Sequence, residues 1–396
     1  PSLFFFNNSN AEIEITNISV IEITDDTNLP RINYEGFSFD GSGNIIPNSG
    51  CGSWLFEPQS TNLFTQSELF SDSSWVKKET VIEAASITLP NGLTNGYKLF
   101  ANTTVATHWL EKTPFPTATT GQDYTLSLFV KSAGSDFIQI AASSGFSTKY
   151  QNFNISTGTK LSGNTSGSSI TDFGNGWFRI SVTETTISAS ARYLIIPILS
   201  DGSRNPQFAG NANEDGVYIW GAMLEQNSYA TSYIPTSGSQ VTRNQDLCTN
   251  GGSLATINST EGTLYAEIKA LANDLSFRSI GLSDGTANNR ILILYTDVSN
   301  GIRVLIFRNN LLQVILNHTI NITDVNKVAV RYKFNNVTFW VNGVKLSTDT
   351  TAFMPIGLNQ LSFSRGDGDL PFFGKTKCLA VFPYLTDAEL TELTTI

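Results

Sequence analysis

Two histidines, His108 and His318, are all the imidazole this chain carries, and a Ser–His–Asp relay would have to be built on one of them. Carboxylates are more numerous, but acid–base cleavage of a glycoside needs a pair converging across a cleft. Glu184 and Glu267 stand alone in their patterns, and no E-x-D-x-x-E run occurs. Asp367 and Asp369, in the run RGDGDL at 365–370, put two carboxylates on a tight turn. That chemistry suits a hard cation such as Ca2+, although Asp-Gly steps also make turns unaided. Asp201, Asn213 and Asp215 form a weaker set of the same kind. Cys51, Cys248 and Cys378 are far apart, with no CxxC and no Cys/His cluster, so zinc is not expected and buried free thiols are. The expectation is a protein that is not an enzyme and needs no cofactor, a structural Ca2+ being the one ion left open.

Binding chemistry is better supplied. Sugar rings are held on aromatic faces, with amide, carboxylate and guanidinium groups meeting the hydroxyls. Aromatic residues make up 11% of the chain. Trp54, Trp177, Trp220 and Trp340 fall in alternating strand patterns and read as core. Trp75 and Trp109 lie nearer loops and are the stronger candidates to meet a ligand. His108, beside Trp109, could stack with it, and Tyr150, Arg192 and Tyr193 complete the candidate carbohydrate-contacting set.

Composition says what must position these groups. Of 396 residues, 40% are hydrophobic and only 15% charged, which excludes helical bundles and coiled coils built from Glu, Lys and Arg. The surface must be covered by Ser, Thr, Asn and Gly, which suit strands and turns. A formal charge of -10 with no basic block argues against nucleic acid or anionic lipid as partners. No apolar run approaches the ~20 residues of a membrane helix, so insertion is not expected. The start, PSLFFF, has no basic leading region and does not read as a signal peptide; lacking Met, it is expected to continue a longer or processed chain.

Periodicity then divides the chain. Alternation over 11–24 (AEIEITNISVIEIT) predicts a strand or hairpin too early to own a core, hence a docking segment over 1–30. Residues 31–70 are broken by Gly and Pro. Between 71 and 235, strands are expected at 97–100, 124–131, 137–141, 177–183, 193–199 and 217–224, separated by Gly, Asn, Ser and Asp clusters. Residues 236–253 are polar and Gly-rich and read as a connection. Residues 254–396 predict a second β module, with hairpin turns at Asn309-Asn310, Asn335-Asn336 and Asn342-Gly343. A terminal helix is expected after Thr386 as N-cap, closed by Glu389, with Leu390 and Leu393 as its apolar face. The fold class expected is all-β: two tandem β-sandwich (jelly-roll) domains, 31–246 and 247–396, behind a strand-like N-terminal docking segment, 1–30.

Two runs of residues resemble known families. RINY at 31–34 and CGSWLFEPQSTNL at 51–63 resemble the incoming segment of a carbohydrate-binding-module-like jelly roll of phage tail, fibre and head-decoration proteins. VYIWGAMLE at 217–225, YATSYIPT at 229–236 and VTRNQD at 241–246 are similar to its outgoing segment. Glu57 and Glu225 lie in these bracketing motifs and are expected to hold the two segments by accepting backbone N–H groups. WVNG at 340–343, GKTKCLAVFPY at 374–384 and LTDAEL at 385–390 resemble a concanavalin-A/laminin-G-like module, without the Arg usual before the final Leu. The resemblance implies a phage virion surface protein: a tail fibre, head fibre or capsid decoration. Such a protein docks to other virion proteins through its N-terminal segment, self-associates as a homo-oligomer (a trimer if a fibre) and adheres to host-surface glycan. A purely structural virion cement protein and a polysaccharide-degrading enzyme are the alternatives.

Overall fold

A computed structural model describes residues 31–33, 37–39, 45–47, 52–211 and 213–396; the expected docking strand at 11–24 and Cys51 lie outside the described residues. The described residues are strands and turns except for one helix, Asp387–Thr394. No helix among them is long and apolar enough to cross a membrane.

In the first module one sheet runs Thr80–Ala85, Gly96–Ala101, Gly216–Glu225, Asp123–Ala133, then the first half of Phe178–Pro197 and Gly167–Asp172. The facing sheet runs Thr159–Gly163, Lys149–Asn154, Phe137–Phe146, the second half of Phe178–Pro197, Trp109–Lys112 and Trp75–Lys78. The sequence predicts two strands, at 177–183 and 193–199; the structure has one strand of 20 residues that passes from sheet to sheet. Nothing stops it, because 183–192 (TETTISASAR) holds no Gly, Pro or Asn. It bends where Gly145 lets it approach: a Cβ there would stand 2.4 Å from Ser188 O and Ala191 N. Leu126, Leu128, Ile138, Ile140, Ile180 and Ile195 fill the interior between the sheets.

The second module packs seven strands over five. The seven run Arg31–Asn33, Ser53–Phe56, Gly374–Phe382, Glu261–Ala270, Asn326–Lys333, Asn336–Val341 and Val344–Asp349. The five run Leu311–Thr319, Gly301–Arg308, Arg290–Tyr295, Arg278–Ser283 and Gln360–Ser362. Asn309 and Asn310, at φ 50° and 62°, make the expected two-residue turn, as do Asn342 and Gly343 at 50° and 81°. The third turn shifts by one residue: Lys333 pairs with Asn336, so Phe334 and Asn335 are the loop and only Asn335 is left-handed. Thr386 caps the helix with Glu389 closing the capping box, as the sequence implies. The helix lays Leu390 on the outer face of the seven-stranded sheet beside Tyr265 and Trp340.

Ser53–Phe56, placed with the first module in the sequence reading, hydrogen-bonds into the second module's sheet against Gly374–Thr376. Phe56 is buried in the second core, stacked on Phe363 at 4.1 Å and edge-on to Phe372 at 6.3 Å. A few residues later the chain is in the first module, where Ser60–Asn62 pairs with Val241–Arg243. The polar connection 236–253 is therefore not a free tether. It supplies that strand, and Gly251 bridges Leu361.

Candidate functional site

The bracketing motifs are a buried polar clasp. Glu57 Oε1 accepts Ser232 N–H (2.8 Å) and Oε2 accepts Arg243 Nη1 (2.7 Å), while the Glu57 amide donates to Asp246 Oδ2 (2.8 Å). Glu225 accepts Thr231 N–H and the hydroxyls of Ser60 and Thr231. Asn62, with no exposure, donates to Ile234 O and Ala222 O and accepts the amides of Phe64 and Leu224. Arg179 spans the floor, donating to Thr231 O and Ser127 Oγ. Burial pushes its guanidinium below the usual range while Glu225 and Glu57 pull it back. Each group satisfies a chain end that would otherwise lie unpaired in the interior. The expected role of Glu57 and Glu225, accepting backbone N–H groups, is what the geometry shows. These carboxylates are fully engaged and do not form a reactive pair.

Several candidate ligand residues are core. Trp75 is 1% exposed, edge-on to Phe64, with its indole N–H on Gln66 O at 2.8 Å. The polar run before it suggested a loop, but Trp75 opens a strand and points inward while Val76 points out. His108 is fully buried between the carbonyls of Glu79 and Phe208, its ring against Phe208, so it offers no face to a sugar. Tyr193 also points inward, its hydroxyl donating to Tyr124 O; burial, and then Glu184, hold its phenol well above the ordinary range. Trp54, expected in the core, is 48% exposed, because the strand carrying it turns that residue outward.

The metal candidates resolve differently. The Arg365 guanidinium sits between both carboxylates, with Nη2 at 2.6 Å from Asp367 Oδ2 and from Asp369 Oδ2, where a cation would have to be. Asp367 is accordingly held below the ordinary carboxylate range, first by its bonds to Arg365. Asp201 is spent on Asn152 and Ser162, and Asp215 on Asn211. No group of three potential metal-ligating side chains occurs among the described residues. Cys248 and Cys378, expected to be buried thiols, are exposed.

Trp109, Tyr150 and Arg192 come to one place, the outer face of the sheet that ends in Trp75–Lys78. Trp109 and Tyr150 are half-buried on a patch of Ala141, Leu194, Ile196 and Ile198. Tyr150 stands opposite Ala141, Ala141 opposite Leu194, and Trp109 lies on the next strand over. Three strand spacings separate the strands that carry them by about 14 Å, and the register sets Trp109 two residues further along. Arg192 reaches Glu111 Oε2 at 3.3 Å, and Lys78 lies opposite Trp109. Arg204 enters from a loop that the sequence reading read only as a turn, donating to Ala142 O at 2.8 Å. Burial and then Arg192 lower its guanidinium, which places the two cations in one field. The buried pair Gln139 and Asn152 fastens that loop, gripping Ser203 O, Gly202 O and the Asn205 amide. Sequence reasoning missed this pair; two amides on the outward positions of adjacent strands were the signal.

No protein-family model and no curated protein sequence matches the chain. Among solved structures, it is similar to the Ruminococcus gnavus IT-sialidase CBM40 bound to alpha2,3 sialyllactose, at 19% identity over 34% of this chain and 83% of that one, TM-score 0.30. It is also similar to domains LG4-5 of the mouse laminin alpha1 chain, at 8% identity over 83% of this chain and 90% of that one, TM-score 0.26. The LG1-3 region of the laminin alpha2 chain matches at 10% identity over 86% of this chain and 65% of that one, TM-score 0.25. TM-scores this low carry no argument on fold or ligand; the all-β sandwich architecture stands on the strand pairing itself.

Proposed function

We propose that this chain is a non-enzymatic glycan adhesin of a phage particle, displayed on the virion surface as a tail fibre, head fibre or capsid decoration. The phage-type motifs at 51–63 and 217–246 support the virion setting, and the N-terminal segment is the part proposed to dock to other virion proteins. One observation carries the adhesive reading: in a chain of net charge -10, the outer face holding Trp109 and Tyr150 gathers three cations, Lys78, Arg192 and Arg204, beside two carboxylates, Glu79 on Lys78 (3.7 Å) and Glu111 on Arg192 (3.3 Å). Flat rings beside cations suit a polysaccharide that bears negative groups, with the rings under the sugar and the guanidinium groups on its carboxylates. The proposed mechanism is adhesion without chemistry, and without a metal or cofactor. Both histidines are engaged in the structure, His318 with Ser347 Oγ.

Self-association would multiply weak contacts into avidity. The edge strand Leu311–Thr319 supports it: it holds no Asp, Glu, Lys, Arg or Pro, the residues that normally guard an edge, and it exposes Leu312 and Ile315. The test is a glycan array probed with the full chain and with the double variant Trp109→Ala/Arg192→Ala. Acidic polysaccharides are expected to bind the parent chain, at least about tenfold more weakly the variant, and less well as salt rises. No signal for the parent chain even when multimerised defeats adhesion and leaves the cement reading; reducing ends released from the polysaccharide would defeat the non-enzymatic one.

A further inference from the structure

A cleft of about 550 Å3 opens between the two modules, away from the cationic face. Its walls come from both: Asp123, Gln226 and Asn227 from the first, Asp274, Phe277 and Arg278 from the second. The modules meet across it through Ser228 Oγ and Asp274 Oδ2 (3.4 Å). Arg278 forms the floor. It is ion-paired with Asp274 through Nη2 and lies over the rings of Phe373 (5.4 Å) and Tyr229 (5.9 Å), which fix its place, while its buried Nη1 has no hydrogen-bond partner among the described residues. Burial pushes the Tyr229 phenol up to about 12, keeping it a neutral hydroxyl.

The lip is built differently from the floor. Phe277 keeps 38% of its surface open, and Leu275 beside it is held at φ 59°, a left-handed conformation that a branched side chain rarely adopts. Facing them, Asp123 spends one oxygen on the Thr185 hydroxyl (2.6 Å), leaving the other for a ligand hydroxyl. Gln226 stands alongside, its Oε1 accepting from the Tyr124 hydroxyl and its amino group left to donate, and so does Asn227, whose Nδ2 is already spent on Ser60 Oγ and Glu225 Oε2. An aromatic lip facing amide and carboxylate groups is the recognition chemistry of a sugar. The charges select further. With Arg278 neutralised by Asp274, the uncompensated group is Asp123, and an anionic ligand is repelled.

We infer that the inter-module cleft is a second binding site, for an uncharged oligosaccharide, with Phe277 stacking on a sugar ring and Asp123 accepting from its hydroxyls. It extends the adhesive reading to a site of opposite charge preference from the Trp109 face. The experiment is calorimetric titration of the full chain with cellohexaose, maltohexaose and mannohexaose, and with tri-galacturonic acid as the charged comparison. At least one neutral hexaose is expected to bind with a dissociation constant on the order of a millimolar. Phe277→Ala and Asp123→Asn are each expected to weaken it at least about tenfold, with unchanged thermal unfolding, because both side chains sit at a solvent-open lip. Trp109→Ala is expected to leave it intact. No binding by any neutral hexaose, binding indifferent to both lip substitutions, or tri-galacturonate competing equally for the cleft would each overturn the site. Acidic polysaccharide binding to the Trp109 face on the array would stand through any of these results, so the two readings fail separately.

Discussion

The segment 53–63 finishes both modules, and it does so by different physics on either side of one peptide bond. Phe56 closes the second module as an apolar plug against Phe363 and Phe372. Glu57, Ser60 and Asn62 close the first through hydrogen bonds to the outgoing segment. Apolar closure is non-directional and tolerates repacking; polar closure in the interior is all or nothing, because a lost partner leaves another group unpaired. The modules are consecutive in sequence but not independent in structure, since one short stretch contributes to both interiors.

The largest effect is expected for Glu57→Ala, which leaves the nearly buried Arg243 with only the more distant Asp246 carboxylate (3.8 Å) as its counter-ion and strips the Ser232 amide of its acceptor, and should cost about 3–5 kcal/mol in denaturant unfolding. Its loss of amide-exchange protection should centre on 60–64 and 222–243; protection lost mainly in 254–396 would break the assignment. Phe56→Ala should cost about 3–4 kcal/mol, and its loss of protection should centre on Gly374–Phe382 and Gln360–Ser362, some 300 residues away in sequence. If instead the first module loosens, the plug is not what closes the second. Asn62→Ala should cost about 2 kcal/mol, less than Glu57 because no charge is stranded.

The smallest effect is a pH dependence of opposite sign in the two modules. Lys345, and then Arg331, hold the Asp387 carboxyl below the ordinary range, so its contribution is full above the unfolded value and lost as pH falls through the folded one. Burial raises Glu184 against the pull of Ser166, so its contribution is full at acid pH and lost as pH rises through the raised value. Acidifying from about pH 6 to about pH 2 should therefore firm the first module in the upper half of that range and loosen the helix of the second in the lower half, below about pH 4. Each change should be on the order of 1 kcal/mol or less, because Asp387 is half exposed and screened by solvent, while the bonds from Ser166 offset part of what burial does to Glu184. Protection moving the same way in both modules across that range would remove the contrast.

Much of the fold was legible in the chain. The strands at 97–100, 124–131, 217–224 and across 262–341 were written in period-2 alternation, and Asn309-Asn310 and Asn342-Gly343 announced their turns because few other residues accept positive φ. Thr386 and Glu389 announced the helix start for the same local reason. The clasp was half legible: Glu57 and Glu225 were singled out, but not Asn62, Arg179 or Arg243, whose partners lie across the module.

Alternation says that neighbours point to opposite sides; it does not say which side is covered. Trp54 and Trp75 exchanged their expected places for that reason, since burial depends on what the rest of the chain lays over a strand. The same holds for Asp367 and Asp369, whose turn was readable but whose occupant, Arg365, is a matter of side-chain direction. Local geometry is set by residues a few positions apart, and the sequence by itself determined it: strand, turn, cap and the scarcity of catalytic groups. Only the tertiary structure decided that Phe56 and Glu57 serve different interiors, that Trp109, Tyr150 and Arg192 share a face, and that a cleft lies between the modules. Those outcomes turn on contacts between segments from about 40 to about 300 residues apart, whose closure depends on the whole packed arrangement and not on any stretch of chain.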